Sequence, residues 1–528
     1  LSRNNKFNYN SRFKIVSSIF SKVIANDILD VESFNNNNSL FSILGKDQNL
    51  LIKEDQTMNF ADLGFIISSP SLKIQQSNRI INIDFYFDSN SIQRLTDLII
   101  DISNHSKLNE QEVFFKVFSK SFNVFYTKID GWEKIDDFEV LFPNDWSLRK
   151  ITFVLKVEKL KPSFSNFNKN IHNKDLNAHH PLLEFRLNQS SFYNTYSFFN
   201  SLNLEKIDIN IDVKNLKQLK FYRDGQSLPV NSEIDIFGAI PKYGSKLYIS
   251  CEELFNKNVK SAQIKWDYTN LFDIDNNFKN YYEKYNLEVE NNIFKFKLSA
   301  LSDFKFVEKS NLDFNMFDIQ KSSVKNSKKI KLSNFEDLQI HQNYFLNNGS
   351  INDFSNDLET GLIKLELISP KFGFGHNEYP RIQSKLLINQ ANNENPEEND
   401  NFLNEPFSPK ATNFSIDYTA NSSLIFKESD RIENNFDQKN NFFLISPYGI
   451  EKTFSKKQIK SSMLYNFEND GELIIGFESK NKINNLDILF EIHKNENTDY
   501  EFSRKITWYY FSYDEWKEIN YKNILFDQ

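Results

Sequence analysis

The chain has 528 residues, and its 63 Lys and Arg against 71 Asp and Glu give a formal net charge of −8. This small acidic excess argues against a dedicated nucleic-acid-binding protein, which normally carries a basic stripe. At roughly 150 residues per domain, the length excludes a single small fold and predicts about three or four domains. One Cys excludes an intrachain disulfide and a thiolate metal cluster, which favours cytoplasmic synthesis.

The start of the sequence carries no recognisable targeting segment. Its first residues, LSRNNKFNYNSRFKIV, lack a Met and the long apolar region of a secretory signal. No run of about 18 or more apolar residues, the length that a membrane-spanning helix needs, occurs anywhere in the sequence. We therefore expect no membrane span, and a start at Leu1 is consistent with a fragment of a longer protein.

The aromatic content is the unusual part of the composition. The chain has 53 Phe and 22 Tyr but only 13 Gly and 12 Pro. Phe and Tyr favour pleated, half-buried surfaces, so this composition predicts a β-rich fold. Asn, Lys, Ile and Phe are overused together, which is typical of an AT-rich genome and explains Asn runs such as 35–38.

Strict alternation of apolar and polar residues gives the clearest secondary-structure signal. Residues 206–213, KIDINIDV, place Ile and Val on one side and Asp and Asn on the other, as a strand with one solvated face requires. The same period of two, or a short apolar run, predicts the other strands. In chain order they lie at 81–87, 264–268, 363–367, 414–418, 473–477, 486–492 and 506–511.

Helices are fewer and lie between the strands. Ser91 is a candidate N-cap for a segment in which the apolar residues of 92–99 share one face. A second helix is predicted over 110–117. A third begins at Pro380, a residue that suits the first helical turn, and extends through Leu387.

These patterns predict a β-rich α+β protein made of several sequential β-sandwich-like or mixed modules with short helices. Polar segments with weak periodicity at 309–355 and 389–404 are typical of linkers or loops, and no short internal repeat is visible. The predicted organisation is an N-terminal extension or fragment edge over 1–60, an α+β module over 61–160, a β-rich module over 161–305, a polar linker or insertion over 306–360, and a β-rich module with one helix over 361–528.

Catalytic and metal-binding signatures are lacking in the sequence. Seven His are present, but no HExxH, paired-Cys zinc spacing, GxxxxGK[ST] loop or GxSxG elbow occurs. His179 and His180 would point in opposite directions on a strand, which disfavours a shared metal ion. Cys251 has no flanking base motif, so we interpret it as a small buried residue. We therefore expect no enzyme activity, no catalytic residue, no metal and no cofactor.

Two clusters of Gly and Pro stand out because the chain uses so few of either. The first, IFGAIPKYGSKLYI, occupies residues 236–249, and the second, SPKFGFGHNEYP, occupies residues 369–380. Gly marks backbone positions that a side chain cannot occupy. A phosphate-binding loop would need more Gly and a basic anchor between a strand and a helix, so both clusters predict structural turns.

Several segments, in a consistent order, resemble the large baseplate wedge proteins of contractile injection systems. These baseplate J-like proteins occur in antifeeding-prophage and Photorhabdus virulence-cassette particles and are related to phage tail wedge subunits. The similarity extends from about residue 60 to the C-terminus. In the N-terminal half, the segments that carry it are DLGFIISSP at 62–70 with the strand at 79–87, and the stretch 236–257, which resembles a signature of the family and is continued by Ile264, Lys265 and Trp266. In the C-terminal half they are FGHNEYP at 374–380, EPFSP at 405–409, SIDYTA at 415–420, GELIIGF at 471–477, the strand at 486–490, and 508–516.

Within these segments, the resemblance singles out a set of structural motif residues. The sequence departs from the family pattern at Ala239, where a Pro is common, and at Ser250, where a Gly is common. Family members are also longer, so the chain resembles the middle portion of one. The motif residues are Phe237, Gly238, Pro241, Gly244, Ser245, Tyr248, Gly373, Phe374, Gly375, His376, Tyr379, Pro380, Asp417, Tyr418 and Thr419.

The resemblance implies a structural role in the baseplate of a phage-tail-like particle, similar to that of type VI secretion baseplates. Wedge subunits of the family link the central hub and spike to the sheath and transmit the contraction trigger. The implied partners are other wedge subunits, hub or spike proteins and the sheath, in a hetero-oligomeric ring with sixfold symmetry and without nucleic acid. The implied particle is assembled in the cytoplasm and is then released or membrane-anchored.

Two other functions stay open. A multidomain β-rich adhesin or carbohydrate-binding tail protein would share the Tyr and Trp content, although such proteins usually carry repeated domains. An enzyme such as a glycoside hydrolase built on β-domains would need an Asp/Glu pair, which the sequence alone does not locate. Gene neighbours that encode sheath, tube and spike would separate the wedge hypothesis from both.

Overall fold

The computed structural model describes most residues between 63 and 466 and several shorter stretches on either side. The chain divides into two compact units, one formed by residues 14–476 and one formed by 1–13 together with 477–528. The described residues are 12–18, 58–60, 63–188, 195–229, 232–255, 257–272, 277–302, 304–307, 312–320, 323–332, 358, 360–391, 403–426, 440–446, 449–453, 461–466, 472–478, 507–512 and 515–520.

Strands dominate the described residues, which confirms the predicted β-rich α+β class. The strands are β1 (Arg12–Ser18), β2 (Met58–Phe60), β3 (Gly64–Ser68), β4 (Asn78–Phe87), β5 (Phe122–Lys128), β6 (Gly131–Ile135), β7 (Asp137–Leu141), β8 (Lys150–Val157), β9 (Leu182–Leu187), β10 (Asn203–Leu216), β11 (Lys220–Arg223), β12 (Gln226–Leu228), β13 (Ile234–Asp235), β14 (Lys246–Ser250), β15 (Asn258–Tyr268), β16 (Lys295–Ser302), β17 (Lys305–Val307), β18 (Asp313–Asn315), β19 (Ile319–Gln320), β20 (Ser323–Val324), β21 (Ser327–Leu332), β22 (Leu362–Ser369), β23 (Lys410–Ile425), β24 (Asn441–Ser446), β25 (Gly449–Lys452), β26 (Ser461–Ser462), β27 (Glu472–Glu478), β28 (Tyr509–Ser512) and β29 (Glu515–Glu518).

Helices in the described residues are mostly short. No helix there is long and apolar enough to cross a membrane. The α-helices are α1 (Ser89–His105), α2 (Glu110–Phe118), α3 (Lys169–His172), α4 (Tyr196–Phe199), α5 (Glu252–Phe255), α6 (Phe278–Tyr281) and α7 (Tyr379–Ala391), and the 3₁₀ turns are Pro70–Leu72, Trp146–Leu148 and Glu283–Tyr285.

Three antiparallel sheets build the larger unit. The central sheet has the order β21-β15-β23-β10-β4-β8-β7, with β13 paired to β23 and β26 paired to β10. The lateral sheet has the order β12-β11-β14-β22-β16-β17, with β18 on β16, and the covering sheet has the order β25-β24-β3-β9-β5-β6. Smaller sheets are β19-β20 and β2-β1-β27, in which β1 and β2 are parallel.

Aromatic side chains pack the central sheet against both of the others. The ring of Phe65 in the covering sheet lies 5.6 Å from that of Phe85 in the central sheet. On the lateral side, Phe221 lies 4.8 Å from Phe414 of β23. These residues belong to one continuous apolar cluster, so the abundant Phe forms a core that all three sheets share.

The smaller unit contains one described hairpin. β28 and β29 are antiparallel, with Tyr509 opposite Glu518 and Tyr510 opposite Lys517. Tyr509 and Tyr510 are about half exposed. The strand that the sequence predicts over 506–511 is confirmed from residue 509 onward.

Most predicted elements are confirmed with longer bounds. The alternating segment 206–213 lies within β10, whose apolar side chains are buried. All three predicted helices form, but the N-cap of α1 is Asp88, not Ser91. The Asp88 carboxylate accepts a hydrogen bond from the Ser91 amide at 2.7 Å, while the Ser91 hydroxyl accepts one from the Asn203 amide. The strand predicted at 486–492 lies outside the described residues.

Strands from several predicted modules pair within the central sheet. β4, β7 and β8 come from the predicted 61–160 module, β10 and β15 from 161–305, and β23 from 361–528. Period-two patterns mark each strand but not its partner, because pairing is decided by tertiary contacts. The predicted modules therefore share one sheet and one apolar core.

The structure also places a strand where the sequence predicts a polar linker or insertion, in 306–360. β21 is an edge strand of the central sheet and pairs with β15. Its sequence SKKIKL looks polar, but Lys328 is buried beside Ile330, and its ammonium group lies 2.5 Å from the Asp318 carboxylate. The ion pair lets a lysine occupy an inward position, which a polarity pattern does not reveal.

We expect Phe65→Ala to lower the free energy of unfolding by about 3–5 kcal/mol, because it leaves a cavity in the shared core. The matched control is Phe115→Ala, since Phe115 is 41% exposed on α2 and its truncation should cost less than about 1 kcal/mol. Denaturant unfolding measures both, and equal losses would contradict a core centred on Phe65. The Phe65 ring lies 4.6–5.6 Å from those of Phe85, Phe122, Phe185 and Phe442.

Candidate functional site

The two predicted Gly and Pro clusters lie against each other. Gly373 has a φ of +64°, and a Cβ atom placed on it would lie 2.7 Å from the carbonyl oxygen of Pro241. The Gly244 amide donates to the Leu367 carbonyl at 2.8 Å, and the Leu367 amide donates to the Ser245 carbonyl at 2.9 Å. The backbones therefore approach as closely as they do only because position 373 has no side chain.

A third segment, residues 404–409, joins the two clusters. The Ser408 hydroxyl donates a hydrogen bond to the Ala239 carbonyl at 2.7 Å. Because that hydroxyl has one proton, it accepts from His376, whose Nε2 lies 3.0 Å away. Burial lowers the pKa of His376, which favours the neutral ring. We call the assembly of 236–245, 370–380 and 404–409 the motif junction.

Tyr282 connects two segments of the motif junction with one hydroxyl group. It accepts a hydrogen bond from the Phe407 amide at 3.0 Å and donates one to the Phe374 carbonyl at 2.9 Å. The Phe374 ring stacks on Phe294, with centroids 4.3 Å apart. Burial raises the pKa of Tyr282 well above its ordinary value, so the hydroxyl keeps the proton that it donates.

Two neighbouring tyrosines hold the backbone of the third segment. The Tyr281 hydroxyl donates to the Glu405 carbonyl at 2.7 Å, and the Tyr285 hydroxyl donates to the Asn404 carbonyl at 2.5 Å. No sequence motif singles these tyrosines out. Their signal is the dense run YYEKY, which the high overall Tyr and Phe content conceals.

Motif residues from both Gly and Pro clusters thus meet, with Pro380 placed in the first turn of α7. Two sequence-predicted residues contact the junction tyrosines: Gly375 faces the Tyr285 ring, and the Tyr379 ring lies 6.3 Å from it. Gly238 faces the Arg223 side chain, and Phe237 is buried in the shared core. Tyr248 lies elsewhere, on β14, with its ring 5.7 Å from that of Phe306.

The last three motif residues alternate across β23. Asp417 and Thr419 lie on the outer face of the central sheet. Asp417 accepts hydrogen bonds from the Lys265 ammonium and from the backbone amide of Asn215. The Thr419 hydroxyl lies 2.7 Å from the Ser261 hydroxyl. Tyr418 points the opposite way, into the core, as the period of a strand requires.

Tyr418 enters a buried ionic cluster that also contains Glu253 and Lys257. The Lys257 side chain is 0% exposed, and that of Glu253 is 1% exposed. The Glu253 carboxylate accepts one hydrogen bond from the Tyr418 hydroxyl and another from the backbone amide of Gln75, at 2.9 Å. The Lys257 ammonium lies 3.9 Å from that carboxylate and donates to the Lys73 carbonyl at 2.5 Å.

Burial sets the protonation behaviour of this buried ionic cluster. It lowers the pKa of Lys257 and raises the pKa of Tyr418 well above its ordinary value. It also raises the pKa of Cys251 to about 12, so that the thiol stays protonated at neutral pH. The prediction that Cys251 is a buried residue is confirmed.

The contact between His376 and Ser408 has the residue types of a nucleophile and its base. Its hydrogen bonds do not suit that chemistry, because a general base must accept the Ser proton. Here the proton is donated to the Ala239 carbonyl, and Nδ1 of His376 has no hydrogen-bond partner to orient the ring. The arrangement links the 239 and 376 segments to one another through the Ser408 hydroxyl.

Metal ligands are not clustered in the described part of the chain. No group of three or more His, Cys, Asp or Glu side chains is placed there to hold a metal ion. His179 is exposed and its neighbour His180 is only partly buried.

No protein-family model matches the chain, and no curated protein sequence matches it. Its function therefore has to be inferred from its own residues and their contacts.

We expect Gly373→Ala to destabilise the chain more than Gly244→Ala. Both positions have positive φ, which costs a non-Gly residue about 1–2 kcal/mol. The added methyl group at 373 must also displace the Pro241 carbonyl, whereas nothing lies within 4 Å of one at 244. Denaturant unfolding should show a total loss of about 3 kcal/mol or more for Gly373→Ala. Equal losses would show that the close approach at the motif junction is not needed.

We expect Glu253→Gln to lower the free energy of unfolding by about 3–5 kcal/mol, because it leaves the buried ammonium group of Lys257 without its counter-charge. Glu252→Gln is the adjacent control, since Glu252 is 19% exposed and pairs with the 37% exposed Lys73, so its loss should cost less than that of the fully buried Glu253. Cys251, the one thiol of the chain, gives a second readout.

Alkylation of Cys251 at pH 8 requires the structure to open, because the thiol is buried and protonated. The rate should rise more in Glu253→Gln than in Glu252→Gln. The same rate in both variants would contradict a role for the buried ionic cluster in holding the sheets together.

Proposed function

We propose that the chain is a structural wedge subunit of the baseplate of a phage-tail-like contractile injection system. The observation that carries the proposal is the spatial convergence of segments that resemble the wedge family. Residues 236–245, 370–380 and 404–409 meet at the motif junction. The resemblance segments that contain α5 and β23 meet at the buried ionic cluster, through the hydrogen bond from the Tyr418 hydroxyl to the Glu253 carboxylate.

A wedge subunit has to transmit the contraction trigger from hub to sheath, so it has to move as a rigid body. Interleaved sheets suit this task, because one apolar core spans the central, covering and lateral sheets. Hydrogen bonds between segments far apart in the chain add further constraint, such as the one that the Ser408 hydroxyl donates to the Ala239 carbonyl. These features support a role in transmitting mechanical force.

The same features support the wedge proposal over the adhesin and enzyme alternatives. An adhesin of repeated domains would close each sheet within one segment, whereas the central sheet draws strands from residues 78–462. A role as a hydrolase gains no support from the His376 and Ser408 contact, whose hydrogen bonds run in the wrong direction. The proposed role is therefore structural and non-enzymatic.

The proposed partners are a second wedge subunit, the central hub or spike and the sheath, in a ring with sixfold symmetry. The proposed site of assembly is the cytoplasm. Interfaces of such assemblies are built from aromatic and apolar anchors within polar rims, and the chain carries exposed examples such as Tyr243 and Ile388.

Co-expression of the full chain with and without the products of neighbouring genes, followed by electron microscopy, tests this proposal. We expect rings or wedge complexes only when the partner wedge subunit and the hub are present, because each subunit contributes different surfaces to the ring. A stable closed homo-oligomer formed by this chain alone would contradict the wedge proposal and favour the adhesin alternative.

A further inference from the structure

A long surface loop lies over the outer face of the covering sheet, the face turned away from the central sheet. The loop belongs to the connection between β8 and β9 and contains the short helix α3. The Phe167 amide donates a hydrogen bond to the His180 carbonyl at 3.4 Å, so the two ends of the loop meet. A compact surface loop whose ends meet is an Ω-loop, and such loops are frequently functional. We call residues 167–180 the Ω-loop.

One threonine of β5 holds both feet of the Ω-loop. The side chain of Thr127 is buried, and its hydroxyl donates to the Ser165 carbonyl at 2.7 Å and accepts from the Leu182 backbone amide at 3.0 Å. The Thr127 carbonyl accepts a third hydrogen bond, from the Ser165 amide at 2.9 Å. The residues on either side of the Ω-loop are thus fixed to the same strand. The loop can therefore move without pulling β8 or β9 away from its sheet.

The apolar contacts of the Ω-loop form a small cluster of their own. In β3, Phe65 and Ile67 belong to the shared core, while Ile66 points to the opposite face, as the period of a strand requires. None of the members of the small cluster belongs to the shared core, so loss of these contacts leaves that core intact. The members are Ile66, Phe167, Leu176, Ala178, Leu182, Phe443 and Ile445.

A buried ion pair fastens the middle of the Ω-loop. The Lys174 ammonium lies 2.8 Å from the carboxylate of Glu184 in β9, whose side chain is 0% exposed. Glu184 also pairs with Arg186 of the same strand, whose Nε lies 2.7 Å away. Breaking a buried ion pair is costly when it leaves one charge buried and unpaired. Opening of the Ω-loop avoids this cost, because both charges gain water and Glu184 keeps Arg186.

The other contacts at the tip of the Ω-loop are polar as well. The indole Nε1 of Trp132 donates to the His172 carbonyl at 3.0 Å, and Nε2 of His172 donates to the Lys128 carbonyl at 3.0 Å. Such groups exchange a protein partner for water at a modest net cost. An element held by polar contacts and a small apolar cluster opens at a lower free energy than a core strand.

We propose that the Ω-loop is a releasable cover of the outer face of the covering sheet. It opens as a unit about Thr127, while the central and covering sheets stay folded. Opening uncovers the apolar side chains around Ile66, and closure shields them from non-specific contacts. The Lys174 and Glu184 pair is the latch that keeps the cover closed. The cover is a property of this chain by itself and does not depend on the wedge proposal.

Hydrogen exchange of the full chain tests whether the Ω-loop opens by itself. The amides to follow are those of Phe167, His172 and Asn173, because they donate hydrogen bonds within the loop. We expect them to exchange at least about tenfold faster than the slowest amides of β9, because the loop opens without the sheet. Exchange as slow as that of β9 would overturn the proposal.

The variant Lys174→Met tests the latch. It should speed exchange of the loop amides by about tenfold, because it removes a hydrogen bond to a buried charge, and leave β5 and β9 unchanged. The matched control is Lys169→Met, since Lys169 pairs with Asp175 inside the loop and both are exposed, by 61% and 87%. The control should exchange as the unmodified chain does. Equal rates in the two variants, or faster exchange of β9 together with the loop, would contradict the latch.

A thiol placed beneath the Ω-loop reports whether the sheet face is uncovered. Ile66→Cys suits this purpose, because residue 66 is buried and lies opposite Glu184 in the register of β3 and β9. Cys251 is the internal control, since it is buried in the shared core. Adding Lys174→Met should raise the alkylation rate at position 66 about tenfold and leave that of Cys251 unchanged. No change at position 66, or an equal rise at both thiols, would overturn the proposal.

Discussion

The fold depends on the requirement that β10 satisfy both of its edges while burying one face. This 14-residue strand pairs with β4 on one side and with β23 on the other. Backbone amides and carbonyls in the middle of a sheet must be paired, because an unpaired buried group is costly. The apolar side chains of β10, which begin at Ile207, are buried in the shared core. Segments far apart in sequence are thereby held in one central sheet.

Two contacts close the fold where the sheets meet. At the motif junction, a Gly at 373 allows the backbone of one turn to approach Pro241, and Tyr282 joins two further segments through a single hydroxyl. In the buried ionic cluster, the Glu253 carboxylate connects a loop amide with Tyr418 of the central sheet. Both contacts depend on satisfied buried polar groups, which fix position more strictly than apolar packing does.

Local patterns were sufficient to predict single elements. The alternation in 206–213 identified β10, and the apolar face in 92–99 identified α1, because both signals lie within one element. The N-cap of α1 was placed at the wrong residue because Ser91 and Asp88 both have capping side chains. In the structure the Ser91 hydroxyl binds the backbone amide of Asn203, which lies in a distant strand, and Asp88 caps the helix. The strand at β21 was missed because its inward lysine depends on Asp318.

The candidate site, too, was only partly predictable from local sequence. Its Gly and Pro turns were visible, since scarce Gly marks special backbone positions. The tyrosines of the run from Tyr281 to Tyr285 and the pairing of Glu253 with Lys257 were not, because each is defined by a partner that lies distant in sequence or by burial. Sequence patterns thus identify elements and turns, while contacts between distant segments define the sites.

Because segments distant in sequence share one sheet and one core, the sheets of the larger unit should open as a single cooperative unit. Hydrogen exchange of the full chain, followed peptide by peptide under native conditions, tests it most directly. We expect β4, β10 and β23 to exchange their slowest amides together, with the same free energy of opening. Independent opening of β23 while β4 and β10 stay protected would contradict it.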